Sequence, residues 1–63
     1  MRDFAFHLSD DRRVDPVVRL AKVRDEQAAH TLAERMLLET YHHRAVEVWE
    51  SGERLYTLAS AGA

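Results

Sequence analysis

Cysteine is missing from all 63 residues of this chain. Its absence excludes disulfides and thiolate metal sites, and it fits an expected location in the cytoplasm, where disulfides play little part. Glycine occurs only at Gly52 and Gly62, so there is no Gly-rich loop to cradle a phosphate. No apolar run approaches the roughly 20 residues that a membrane-spanning helix needs. The opening Met1-Arg2-Asp3-Phe4 has neither a long apolar stretch nor a small-residue cleavage site, and it is not expected to act as a signal peptide. Internal repeats and low-complexity tracts are also lacking.

What remains is a chain sized for one domain, expected over residues 1–60, with residues 61–63 as a fraying tail. A domain this small buries only about 60% of the surface its unfolded chain exposes. Its core alone supplies roughly 3–5 kcal/mol. With disulfides and thiolate metal sites excluded, a second subunit is the expected source of further stability. The expected state is therefore a homo-oligomer, a dimer first. Nine basic residues against eleven acidic ones give no general pull towards nucleic acid or membrane. The charge is uneven, however: residues 1–24 carry +2 and residues 25–63 carry −4. That asymmetry suits docking between copies, and it equally suits two differently solvated faces.

Phe4, Phe6 and Leu8 alternate with Ala5 and His7, the period-two pattern of a half-buried strand. Residues 9–16 are polar, and Pro16 holds Asp15 extended, so a loop is expected there. Residues 17–23 then offer two phases for a second strand. One buries Val18 and Leu20, the other Val17, Ala21 and Val23. The first is preferred because it leaves Arg19 wet; an irregular extended segment is the alternative. Asp25 is a suitable N-cap, followed by helix formers to about residue 41. Ala29, Leu32, Ala33, Met36, Leu37 and Thr40 form one helical stripe, with Leu38 pointing nearly opposite and expected to be exposed. His42 and His43 are expected to close the helix.

Two β-prone runs, 44–50 and 53–59, flank Ser51-Gly52, a strong hairpin signal. A two-residue loop sets Trp49 opposite Arg54, Val48 opposite Leu55, Glu47 opposite Tyr56 and Ala45 opposite Leu58. It also sets Glu50 against Glu53, an unfavourable pair that a bulge at Gly52 would relieve. In the first register Val46, Val48, Leu55 and Thr57 share the helix-facing side. Trp49, Tyr56 and Leu58 then share the other face with Arg54, which is placed to stack on Trp49. One helix covers only one face of a small sheet, so this second face is either a partner surface or is covered by the 9–16 loop.

The four histidines lack any paired metal-ligand spacing. Asp10 and Asp11 read as turn residues, and Ser9, Ser51 and Ser60 have no nucleophile context. A chain this short has little room for a ligand cleft. No enzymatic activity and no cofactor are expected. Arg12, Arg13, Arg19, Lys22 and Arg24 concentrate before the helix and form the alternative site, a basic ridge for phosphates. Asp10, Asp11 and Asp15 are interleaved with it.

Phe4-Ala5-Phe6-His7-Leu8, Asp25-x-x-Ala28-Ala29, Val46-x-Val48 and Gly52-x-x-Leu55 together resemble a family of short bacterial domains of unknown function. The resemblance spans nearly the whole chain and implies a ββαββ order without an activity. This chain departs from that pattern in having Asp10-Asp11-Arg12-Arg13 where the family's first turn carries Asp-Gly, and Val18-Arg19-Leu20 where it carries Gly. The element order is also similar to antitoxin-type partial ribonuclease-H-like domains, and this implies the alternative role of an antitoxin-like or nucleic-acid-binding regulator. The expected fold is α+β, with one helix on a mainly antiparallel sheet. The expected function is self-association through Trp49, Tyr56 and Leu58, with Arg54 and Leu38 in support. An unidentified protein partner is a further possibility, and no membrane association is expected.

Overall fold

The computed structural model of the chain describes residues 1–60, so the expected fraying of 61–63 lies outside the described residues. Five elements follow one another: β1 (Arg2–Asp10), β2 (Val17–Val23), α1 (Glu26–Leu38), β3 (His43–Glu50) and β4 (Glu53–Ala59). The strands form one antiparallel sheet in the order β2-β1-β3-β4. The expected ββαββ α+β architecture is therefore present. Among the described residues no helix is long and apolar enough to cross a membrane.

The helix begins where the sequence places its cap. Asp25 is extended, and its carboxylate accepts the Ala28 N–H at 2.9 Å. Ala29, Ala33 and Met36 are buried, and Leu32 and Leu37 are partly so. These residues rest on Phe4, Phe6 and Leu8 of β1 and on Val46 and Val48 of β3, each 1% exposed or less. Small alanines let the helix approach the sheet closely, and the two phenylalanines fill the space beneath it.

The helix ends at Leu38, three residues earlier than the composition suggests. The Thr40 carbonyl accepts the His43 N–H at 3.2 Å, closing a turn through Tyr41 and His42. His43 consequently opens β3 instead of closing the helix. It is buried at 5% exposure.

Two expectations about faces are corrected. In β2, Phe4 pairs with Ala21 and Leu8 with Val17, so Val17, Arg19, Ala21 and Val23 share the covered side. Val18 and Leu20 point to the open side, the reverse of the preferred phase. Arg19 is accommodated there because its guanidinium reaches Glu39, at the helix end, at 3.0 Å. In β4 the turn is the expected two-residue one: Ser51 and Gly52 both have positive φ, and Trp49 faces Arg54. One step further the register slips, and Val48 faces Tyr56. Leu55 is the extra residue of a bulge, so Tyr56 and Leu58 turn to the covered side and Thr57 to the open one. A second bulge, at Arg44, lets Ser9 face Ala45 while Asp10 faces His43.

The Glu50–Glu53 apposition does occur. It is relieved from across the sheet: Arg2 donates to Glu50 from Nε at 2.7 Å and from a terminal nitrogen at 2.5 Å. These hydrogen bonds hold the Glu50 carboxyl below its ordinary value.

Candidate interface on the open sheet face

The face away from the helix is built from alternate residues of all four strands. The register aligns two rows across it. One row runs Leu20–Ala5–Trp49–Arg54 and the next runs Val18–His7–Glu47–Thr57. Asp3 faces Lys22 beyond the first row. Leu20 is 79% exposed and Val18 is 53% exposed. Large apolar side chains grouped on an exposed surface mark contact sites more often than single ones do.

Trp49 is held firmly. Its ring stacks on His7 with centroids 4.9 Å apart and planes inclined by 18°. Its indole N–H donates to Glu47 at 3.0 Å. The same carboxylate lies 3.5 Å from the Arg54 guanidinium and 4.0 Å from Nδ1 of His7. Arg54 thus pairs with Glu47, and His7 takes the stacking position expected of Arg54. Lys22 lies 3.9 Å from Asp3. Between Leu20 and Trp49 the small Ala5 leaves a groove of about 610 Å³, bordered by Asp3, Lys22 and the Ser51-Gly52 turn.

The five residues expected to form the interface are not brought together. Trp49 and Arg54 lie on the open face. Tyr56 and Leu58 lie under the helix, where the Tyr56 ring meets His30 at 5.6 Å. Burial pushes the Tyr56 phenol up, and the charges of Glu26 and Glu34 add to this. Its hydroxyl has no hydrogen-bond partner among the described residues. Leu38 is exposed as expected, but it belongs to a separate patch with Leu37, Thr40 and Tyr41. Val18, Leu20, His7 and Glu47 were not among the expected interface residues. The second phase of residues 17–23 was the signal for the first two.

The basic residues of the alternative site also scatter. Arg12 is bonded to Asp10 in the first turn, Arg19 to Glu39 on the covered side, and Lys22 lies by Asp3 on the open side. Arg24 lies at the far end of β2 beside Asp25, at 3.6 Å. Arg13 alone lacks an acidic partner within 4 Å among the described residues. They do not line a single ridge.

A second polar cluster closes the sheet near the helix end. Buried Asp10 accepts the Arg12 side chain at 2.6 and 3.0 Å and the Arg12 main-chain N–H at 2.8 Å. These bonds hold its carboxyl far below the usual carboxylate range. His43 lies between the Asp10 carboxylate, 3.6 Å from Nε2, and the Met36 carbonyl, to which Nδ1 donates. Next to it, Asp11 bonds His42 and Arg44, each at 2.8 Å. This arrangement ties the C-terminal end of α1 to β1 and β3. Buried, and with its oxygens engaged by Arg12 and close to His43, Asp10 acts here as a fastener. Among the described residues no group of three or more potential ligands is disposed to hold a metal ion.

Comparison of the chain with protein-family models, with curated proteins and with solved structures finds no match. The functional reading therefore stands on the geometry of the open face.

Proposed function

We propose that this domain is a non-enzymatic module that joins copies of itself through the helix-free face of its sheet. The observation that carries this reading is the pairing of exposed Leu20 and Val18 with a Trp49-walled groove on a face whose charges are matched internally. Lys22 is close to Asp3 and Arg54 to Glu47. A face neutralised in this way attracts neither polyanions nor polycations strongly. It meets a second copy of itself without net repulsion.

Scale limits the strength of such a pair. Four strands about 4.8 Å apart and about seven residues long make a face of roughly 19 by 23 Å. A pair of such faces is roughly 870 Å², below the roughly 1,200–2,000 Å² buried by stable complexes and in the range of weak, transient ones. The expected dissociation constant is accordingly in about the micromolar range. Light scattering coupled to size exclusion tests the reading. A dimer is expected at several hundred micromolar, and a monomer at that concentration overturns it.

A further inference from the structure

We infer that the second copy stacks on a two-fold axis running along the strands at the midline of the sheet, between β1 and β3, so that Trp49 of each copy seats over the partner's Ala5. This inference rests on the self-association reading and specifies its geometry. Three features of the open face carry it.

The first is strand order. With β2-β1-β3-β4, a two-fold axis at the midline exchanges β1 with β3 and β2 with β4. All four strands of each copy are then covered. An axis between β1 and β2 stacks only two strands of each copy and halves the buried area.

The second is size. The midline axis maps each cross-strand row onto itself in reverse. In the row Leu20–Ala5–Trp49–Arg54, the largest side chain meets the smallest. The groove above Ala5, about 610 Å³, has room for an indole and a neighbouring side chain. Trp49 reaches the interface already ordered by His7 and Glu47, so little rotational freedom is lost on docking. The exposed Leu20 falls over the aliphatic stem of Arg54, a surface such side chains readily cover.

The third is polarity. In the row Val18–His7–Glu47–Thr57, the same operation sets the imidazole of one copy against the carboxylate of the other, and Val18 against Thr57. No like charges meet in either row. Aligned sheets cross at about −30°, which displaces the outer positions more than the central ones. The Trp49–Ala5 contact is therefore the one to test.

A bump-and-hole exchange tests it with the full chain. Ala5→Leu fills the groove, and Trp49→Ala removes the side chain that occupies it. Each variant alone is expected to associate at least tenfold more weakly than the natural sequence. An equimolar mixture is expected to regain most of the affinity, because each heterodimer then holds one native contact and one leucine–alanine contact. Circular dichroism checks that both variants fold, and Ala5→Val replaces Ala5→Leu if the larger side chain distorts β1. A natural chain that dimerises while the mixture associates no better than its components overturns the two-fold geometry and leaves self-association standing. A natural chain that stays monomeric overturns both.

Discussion

The two faces of this sheet are built from the same four strands and behave as opposites. On the covered face Phe4, Phe6, Leu8, Val46 and Val48 are almost wholly removed from water. On the open face Val18 and Leu20 stand in solvent, Trp49 and Arg54 both engage Glu47, and Lys22 lies by Asp3. The difference teaches that side-chain parity alone separates the core of this domain from its exposed sheet face. One face is replaceable only by side chains of like volume. On the self-association proposed above, the other is expected to respond to substitution in association before it responds in folding.

The largest expected effect falls on the covered face. Phe6→Ala removes a fully buried ring from the centre of β1 and costs about 3–5 kcal/mol. That is comparable with the whole stability of so small a domain, so urea titration followed by circular dichroism is expected to show no cooperative unfolding. Trp49→Ala is expected to act on the other face. A retained unfolding transition with a dissociation constant raised at least about tenfold is the predicted signature of an anchor residue. If the transition itself disappears, the division between the faces is wrong.

The next effect separates the faces by acid. Asp10 titrates below its ordinary value in the folded chain, and Glu50 does so through Arg2. The folded state therefore holds its carboxylates ionised where the unfolded chain has begun to bind protons. Their contribution is complete above the unfolded carboxyl pKa, near 4, and is lost as the pH falls from there through the folded values. Midpoints of urea unfolding measured from pH 6 down to pH 2 are expected to drop, and Asp10→Asn is expected to flatten that drop. A slope unchanged in the variant would show that the fastener at the helix end contributes nothing. The smallest effect belongs to Tyr56. Its buried hydroxyl lacks a hydrogen-bond partner among the described residues, and an unmet group of this kind costs about 1–3 kcal/mol. Tyr56→Phe is expected to leave the melting temperature unchanged or raise it slightly, with no change in association.

Much of the fold is written in local pattern. Alternation at Phe4, Phe6 and Leu8, the cap at Asp25, the alanine-rich stripe and the Ser51-Gly52 turn each have a short-range cause, and each is found in its place. The open face is legible only in part, because its composition depends on parity, and parity can be reset without a local signal. At residues 17–23 both phases are apolar enough; the one adopted packs Val17, Ala21 and Val23 against the core, and the Arg19 it carries with them reaches Glu39, twenty residues away in sequence. In β4 the extra residue at Leu55 has no glycine to announce it. Trp49 and Arg54 lie before the slip and keep their expected face; Tyr56 and Leu58 lie after it and change sides. His43 was likewise hidden by the slip at Arg44, which brings it against Asp10.

The bulge at Leu55 also bears on how such a sheet can drift. Loss of one codon there would restore an unbroken ladder with Val48 still opposite Tyr56 and Glu47 still opposite Thr57. The opposite change, pairing Leu55 with Val48, would carry Tyr56 and Leu58 onto the open face and Thr57 beneath the helix. The one unpaired residue thus acts as a parity device: it lets β4 carry an additional side chain while the residues after it keep their faces.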